Sequence, residues 1–355
     1  MNTRFGKRLK MKEPRRILVV KMSSIGDVLF ATPVSRALRE AFPKAHIAWA
    51  VDRRCAPVVE GNPYLDELVV MQRDSGRVRD LLGYWHTTRA YPAFDWALDL
   101  HGLARSALVM WASRAPFRAG LAGTREGSRF SYNHIVSVPD AGVHRVDYYA
   151  SFLEALGIPV PHREMLFYTL PEHAEEAQAL LSELAPGHGP LVVVSLTAGR
   201  MQKCWMPERF GAVADRLIER HGCRVAVIGS KTDRPYVEQM KAAMSHAPAD
   251  LCGRIGLKTL GEVLRAANLF LSADTGPMHI AAAMKTPVVA LFGPTEPELY
   301  GPWRTDSTVI RKHCRCAPRW RHPVCEDREC MRAITVDEVE EAVVALLVRT
   351  GALVG

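Results

Sequence analysis

The chain has 355 residues, enough for two domains of roughly 150 residues each, and its composition, 48% hydrophobic and 24% charged, excludes a disordered or fibrous protein. No segment approaches the run of about 20 apolar residues that a membrane-spanning helix needs. The net charge of +8 lies mainly in two short segments, 1–16 and 311–332, which argues against a long basic groove for nucleic acid.

The two basic segments favour local attraction to an anionic lipid surface or to an anionic substrate. A solvated tail is the alternative interpretation for residues 1–12. No apolar stretch with a small-residue cleavage site follows the basic start, so the sequence predicts no secretory signal and a cytoplasmic location.

In the first half of the chain, short β-branched runs alternate with helical periodicity. RILVVK (16–21) predicts a buried strand, and the spacing of apolar residues over 27–41 predicts one helix. Further strands are predicted at 46–52, 67–71 and 94–100. Strands separated by helices indicate a parallel sheet that is covered on both faces.

A second series of the same kind follows a predicted helix at 171–184 and a loop at 185–190. Strand-like runs such as PLVVVSL, CRVAVIGS, LFLSAD and TPVVALFG alternate there with helices. The sequence therefore predicts an α/β protein with two parallel-sheet domains and a ligand cleft at the strand ends. The predicted divisions are a basic tail at 1–14, an N-terminal domain at 15–170, a linking helix and loop at 171–189, a C-terminal domain at 190–334 and a closing helix at 335–355.

Several common fingerprints are missing from the sequence. No GxGxxG follows a strand, IGSKTD lacks the upstream glycine of a phosphate-binding loop, and neither GxSxG nor HExxH occurs. Their absence argues against a nicotinamide-dependent dehydrogenase or epimerase and against a P-loop NTPase. The candidates for chemistry are the polar residues that follow predicted strands.

The first candidate stretch is VVKMSSIGDVLFATP, where a strand runs into a helix through Ser23, Ser24, Gly26 and Asp27. Gly26 allows another molecule to approach the backbone, and Asp27 in the first helical turn is placed to accept a proton from an incoming hydroxyl. An acid at a helix start is also an ordinary capping residue, so both interpretations stay open.

Two further stretches lie in the second half. In LFLSADTGPMHIAAAM, Thr275 and Gly276 open a helix whose free amides suit a phosphate, with Asp274 before them and His279 one turn on. In SLTAGRMQKCWMPERF, Lys203 follows another strand and supplies a point charge for a phosphate oxygen. We expect these residues to converge on one diphosphate.

Four of the eight cysteines crowd into 17 residues, with the spacing C-x-C-x8-C-x4-C. The first pair is tighter than in the usual zinc knuckle, so a thiol-rich surface loop is the main interpretation and a structural zinc site the alternative. These four residues are Cys314, Cys316, Cys325 and Cys330. The others, Cys55, Cys204, Cys223 and Cys252, are predicted to be small buried hydrophobic residues.

Together with LDLHGLARSAL (98–108), three motifs carry a family resemblance: K-x-S-S-x-G-D-V over Lys21–Val28, D-T-G-x-x-H, and F-G-P-T. From Arg15 to Thr350 the chain resembles the lipopolysaccharide heptosyltransferases, glycosyltransferase family nine. The resemblance implies a GT-B fold with the acceptor in the N-terminal domain and ADP-heptose in the C-terminal one. It also implies inverting transfer without a catalytic metal or cofactor, onto lipopolysaccharide inner core at the inner face of the membrane.

When the residue roles of the family are carried over by position, the resemblance implies that Asp27 is the catalytic base. The donor-side residues that it implies are Lys203, Asp274, Thr275, Gly276, His279 and, for the ribose, Asp233. The acceptor-side residues are Ser23, Ser24, Gly26, Arg125 and His144. The sequence departs from the family pattern where Met206 separates Trp205 from Pro207, and where Lys231 precedes the acid at Asp233. The alternatives are a family member with another donor or acceptor, and a non-catalytic nucleotide-sugar-binding protein.

Overall fold

A computed structural model of the chain describes residues 13–72, 78–139, 141–313 and 328–354. The chain divides into two compact units, with the boundary between Tyr168 and Thr169. In the parts of the chain described, no helix is long and apolar enough to cross a membrane.

The first unit contains a six-stranded parallel sheet with the order β3-β2-β1-β4-β5-β6. Its strands are β1 Arg16–Val20, β2 His46–Asp52, β3 Glu67–Met71, β4 Trp96–Asp99, β5 Phe117–Leu121 and β6 His134–Val136. Its helices are α1 Ile25–Ala31, α2 Pro33–Ala41, α3 Ala56–Val59, α4 Val78–Arg89, α5 Ala104–Ala112 and α6 Arg145–Ala155.

The second unit repeats the architecture, with the strand order β12-β11-β10-β7-β8-β9. Its strands are β7 Leu191–Ser195, β8 Arg224–Ile228, β9 Ala249–Asp250, β10 Leu269–Ala273, β11 Val288–Phe292 and β12 Ser307–Arg311. Its helices are α7 Pro171–Leu184, α8 Pro207–His221, α9 Arg234–Ala242, α10 Leu257–Ala266, α11 Gly276–Ala283, α12 Pro297–Tyr300, α13 Glu329–Arg332 and α14 Val336–Arg349.

The strand order of each sheet creates one switch point, where the connections turn from one side of the sheet to the other. In the first unit it lies between β1 and β4, and in the second between β7 and β10. The residues of these four strands are almost all buried, which is the continuous apolar pattern of a parallel sheet covered on both faces. Polar side chains therefore collect beyond the carboxyl ends of the strands, where such sheets bind ligands.

The predicted two-sheet α/β fold is confirmed, and α7 begins and ends where the sequence predicts. The single helix predicted over 27–41 is wrong, because the chain forms α1 and α2 with Thr32 between them. Pro33 has no N–H to continue a helix and instead occupies the first turn of α2.

Five of the eight cysteines lie in the described part of the chain. Cys55, Cys204, Cys223 and Cys252 are buried free thiols, as predicted. In the cysteine-rich segment, Cys330 is also buried, whereas Cys314, Cys316 and Cys325 lie outside the described residues.

Gly120 on β5 offers a direct test of the packing beside the first switch point. A Cβ atom at this position would lie 2.3 Å from ring carbons of Tyr132, whose hydroxyl donates to Asp99. We expect Gly120→Ala to lower the free energy of unfolding by about 1–3 kcal/mol through overpacking. Gly83→Ala on α4, where a Cβ would meet nothing within 4 Å, should stabilise the protein by about 0.5–1 kcal/mol. Urea unfolding that ranks Gly120→Ala level with the parent would contradict this packing.

Candidate active site

Asp27 lies in the first turn of α1, directly after the carboxyl end of β1. Its Oδ2 accepts hydrogen bonds from the backbone N–H of Ser24 at 3.3 Å and from the Ser24 hydroxyl at 2.8 Å. Asp27 therefore makes the capping contacts that the sequence offered as one interpretation. Its side chain is nevertheless 36% exposed, so the same carboxylate is accessible to a substrate.

Lys21, immediately after β1, lies next to Asp27 and is buried more deeply. Its ammonium donates a hydrogen bond to the Tyr149 hydroxyl at 2.6 Å and lies 3.9 Å from Asp27 Oδ1. Burial lowers the pKa of Lys21, whereas the neighbouring Asp27 carboxylate opposes that shift. Lys21 belongs to the motif K-x-S-S-x-G-D-V, but the sequence alone predicts no role for it, because Tyr149 is 128 residues away in the chain.

Arg105 on α5 connects the ends of three strands. Its guanidinium donates to the Ser23 hydroxyl at 2.7 Å and to His101 Nε2 at 2.8 Å, and it lies 3.5 Å from Asp52 Oδ2. Burial, with the charges of Lys21 and Arg105 nearby, lowers the pKa of His101 to about 2, so the imidazole is neutral and accepts from Arg105. The motif LDLHGLARSAL contains this pair, and the spacing of four residues between His101 and Arg105, just after the end of β4, is the signal in the sequence.

Asp99, at the end of β4, is a structural carboxylate. It is fully buried and accepts hydrogen bonds from four groups. These donors are the backbone N–H of His101, the backbone N–H of Gly102, the Ser106 hydroxyl and the Tyr132 hydroxyl, at 2.6 to 3.0 Å. Burial raises the pKa of Asp99 and these hydrogen bonds oppose the rise. Asp99 fixes the turn between β4 and α5 and so positions His101 and Arg105.

The remaining acceptor-side predictions fall in different surroundings. Arg125 is exposed, and its backbone N–H donates to the Gly102 carbonyl at 3.0 Å, which places its loop beside the β4–α5 turn. His144 is buried, caps α6 by accepting from the backbone N–H of Val146, and contacts Phe30 edge to face. The exposed position of Arg125 suits contact with a ligand, whereas the buried position of His144 suits a structural role at the start of α6. Both acceptor roles stay predictions.

In the second unit, the structure brings Lys203 and Asp274 together. The Lys203 ammonium donates to Asp274 Oδ2 at 2.6 Å, and the same oxygen accepts from the Thr295 hydroxyl at 2.8 Å. The Asp274 side chain is only 6% exposed and that of Lys203 is 17% exposed. Thr295 belongs to the F-G-P-T motif, and the sequence alone predicts no role for this residue.

The start of α11 completes this cluster. Thr275 is the N-cap residue, Gly276 begins the helix, and both are half-buried. His279 Nε2, one turn on, lies 4.0 Å from Asp274 Oδ1. The cluster thus contains the Lys203 ammonium beside Asp274 and the N-terminus of α11 directly after Asp274. An ammonium and free helix amides are both groups that bind phosphate.

Asp233 and Trp205 lie where the sequence departs from the family pattern. Asp233 follows β8, and its Oδ2 accepts from the backbone N–H and the hydroxyl of Ser230 at 2.7 and 2.6 Å. Trp205 is buried and donates to the Ile334 carbonyl, while α8 still begins at Pro207. The extra Met206 serves as the N-cap residue of α8.

The described residues contain no group of three or more histidine, cysteine, aspartate or glutamate side chains arranged to hold a metal ion. Lys203 and the N-terminus of α11 both lie at the described second-unit site, and each is a group that attracts an anion.

Two parallel six-stranded sheets of this order, each with polar side chains at its switch point, fit the two-domain architecture of the GT-B fold, the fold class of many glycosyltransferases. Residues 85–328 match the family model of glycosyltransferase family 9 (heptosyltransferase), and the chain belongs to this family. It is therefore a glycosyltransferase, as the sequence motifs predicted.

Relatives and solved structures extend the match along the chain. The chain is 28% identical over 334 residues to lipopolysaccharide heptosyltransferase 3 of Escherichia coli K12, covering 91% of this chain and 95% of that protein. Its fold is similar to that of a family 9 glycosyl transferase from Veillonella parvula, with a TM-score of 0.83, 26% identity and coverage of 94% and 97%. It also matches the fold of E. coli ADP-heptose LPS heptosyltransferase II, with a TM-score of 0.76, 24% identity and coverage of 95% and 99%.

Proposed function

We propose that this glycosyltransferase moves heptose from ADP-heptose onto the inner core of lipopolysaccharide, with Kdo-lipid A or a heptosylated core as acceptor. The names of the relatives support the sugar and the acceptor class. The observation that carries the proposal is the pair of lysine–aspartate clusters, one at the switch point of each sheet.

The two clusters differ in which member of the lysine–aspartate pair is the more exposed. In the first unit Lys21 is 6% exposed and Asp27 is 36% exposed, so the accessible group is the carboxylate. In the second unit Asp274 is 6% exposed and Lys203 is 17% exposed, so the more accessible group is the ammonium. The first cluster is suited to accept a proton, and the second to neutralise a phosphate.

On the donor side, the ADP diphosphate binds the Lys203 ammonium and the amides of Thr275 and Gly276. A diphosphate competes with Asp274 for Lys203, while the Thr295 hydroxyl continues to hold the Asp274 carboxylate. Asp274 and His279 are then placed beside the donor sugar and phosphates. Asp233, at the end of β8, is the candidate for the ribose.

On the acceptor side, Asp27 acts as the general base. The acceptor hydroxyl oxygen bonds to the anomeric carbon of heptose while the bond from that carbon to the phosphate oxygen breaks and ADP leaves with the electron pair. The hydroxyl proton passes to Asp27. Attack opposite the leaving group inverts the anomeric carbon. Ser23, Ser24, Gly26, Arg125 and His144 are the acceptor-side candidates.

The acceptor is an anionic lipid, which supports a peripheral position at the inner face of the cytoplasmic membrane. The basic segments 1–16 and 311–332 each carry seven lysine or arginine residues, against one and three acids respectively. Attraction of such segments to anionic lipid is expected from their charge. Most of both segments, residues 1–12 and 314–327, lies outside the described residues.

Lys203→Ala tests the donor site. Loss of one charge-assisted hydrogen bond should weaken ADP binding by about 1.5–3 kcal/mol, measured by calorimetry. Lys241→Ala is the matched control, because Lys241 lies near the far end of α9 and pairs with Glu238 and Asp250. Equal ADP affinities for Lys203→Ala and the parent would remove Lys203 from the site.

Chelation tests the proposed independence from a catalytic metal. Because Lys203 and helix amides supply the positive charge, brief EDTA treatment should leave the rate of heptose transfer unchanged. Any zinc held by the cysteine-rich segment should be structural. A loss of transfer that Mg²⁺ restores and zinc does not would reverse this assignment.

Asp27→Asn tests the base. Asparagine keeps a side-chain oxygen for the Ser24 contacts and cannot accept the proton, so kcat should fall by about 10²- to 10⁴-fold. ADP affinity should stay at the parent value, because the donor residues lie in the second unit. Heptose transfer by folded Asp27→Asn at close to the parent rate would leave Asp27 as a helix cap only.

A further inference from the structure

Lys21 is a buried lysine that the proposed reaction does not use. Its side chain is 6% exposed, and its backbone is fixed because its carbonyl accepts from Trp49 Nε1 at 3.1 Å. Only two lysines occur between residues 13 and 168, and the other, Lys44, is exposed. Burying an ammonium is unfavourable unless partners compensate the lost hydration, so the partners of Lys21 indicate what it does.

Charged and titratable groups face Lys21 from several elements. Asp27 on α1 and Asp99 on β4 favour the ammonium form, whereas Arg105 on α5 and Arg145 on α6 oppose it. Tyr149 on α6 contributes its hydroxyl as acceptor, and Lys21 Nζ lies 4.7 Å from its ring centroid. His101 lies near enough for Lys21 to affect its titration, and its ring is neutral. Asp99 is saturated by four hydrogen bonds, which leaves Asp27 as the accessible carboxylate beside the ammonium.

The two oxygens of Asp27 have different neighbours. Oδ2 accepts from Ser24, whereas Oδ1 faces the Lys21 ammonium at 3.9 Å. This distance is longer than a direct hydrogen bond, so the ammonium acts on Asp27 through charge. The shorter contact of the ammonium, 2.6 Å to the Tyr149 hydroxyl on α6, holds it in place.

We propose that Lys21 is a positioning residue for the general base: its ammonium, held by Tyr149, acts through its charge to keep the Asp27 carboxylate ionised for accepting the proton of the acceptor. This role rests on the proposed function of Asp27. It requires Lys21 to be charged while Asp27 is ionised, so each group must change the titration of the other.

The direction of the effect follows from the charges. A cation about 4 Å away stabilises an ionised carboxylate, so its removal moves the acid limb of the kcat–pH profile to higher pH. The rate above that limb should be retained, because a carboxylate that holds a proton more tightly is no weaker a base. A purely structural lysine would instead lower the rate at every pH without moving the limb.

Lys21→Met keeps the length of the side chain and removes its charge. We expect the acid limb of kcat for heptose transfer to rise by about one pH unit or more, with ADP affinity unchanged. Lys44→Met, an exposed lysine of the same unit, should leave the limb in place. An unmoved limb in Lys21→Met would overturn the proposal.

A second measurement needs neither activity nor a folded Lys21→Met. In protein labelled at the lysine ε-carbons, the Lys21 signal should titrate at lower pH in Asp27→Asn than in the parent, because the ammonium loses its counter-charge. An unchanged Lys21 midpoint would overturn the proposal, even if Lys21→Met failed to fold. If the parent itself failed to transfer heptose, the proposed function would be wrong, and the carbon titration would still decide whether Lys21 and Asp27 are coupled.

Discussion

The structure depends on neutralising charge at the carboxyl edge of each parallel sheet. Both faces of such a sheet are covered, so the polar groups that face a ligand lie at and beyond the strand ends. In each unit a lysine and an aspartate meet there, Lys21 with Asp27 and Lys203 with Asp274. Each pair includes one side chain that is only 6% exposed, and that side chain requires its partner because an isolated buried charge is strongly unfavourable.

The same constraint accounts for the division of chemical roles that we propose. In the first unit a buried cation lies beside a more accessible carboxylate, and in the second a buried anion lies beside a more accessible ammonium. Duplicating one α/β architecture therefore gives the proposed proton-accepting site one charge pattern and the proposed anion-binding site the reverse. Asp99 and Thr295 support the two sites by holding a turn and a carboxylate in place.

The sequence predicts the fold well, because strand burial and helix periodicity are local patterns. The prediction of one helix over 27–41 missed the α1–α2 break although Pro33 marks it, since apolar spacing alone continues across Thr32. Candidate site residues could be selected from the sequence where they stand at strand ends in recognisable motifs, as Asp27, Lys203, Asp274 and Thr275 do, and their roles stay predictions. Lys21 and Thr295 were quoted but not assigned, because their partners are set by strand order and by contacts up to 128 residues apart in the chain.

We propose that this family 9 glycosyltransferase uses ADP-heptose and a lipopolysaccharide inner-core acceptor. The most direct measurement is incubation of the full chain with ADP-heptose, or with other nucleotide sugars, and a panel of truncated cores, followed by mass spectrometry of the acceptor. We expect the addition of one heptose to a single core structure, from ADP-heptose only. Transfer of a different sugar, or donor binding with no modification of any acceptor in the panel, would contradict it.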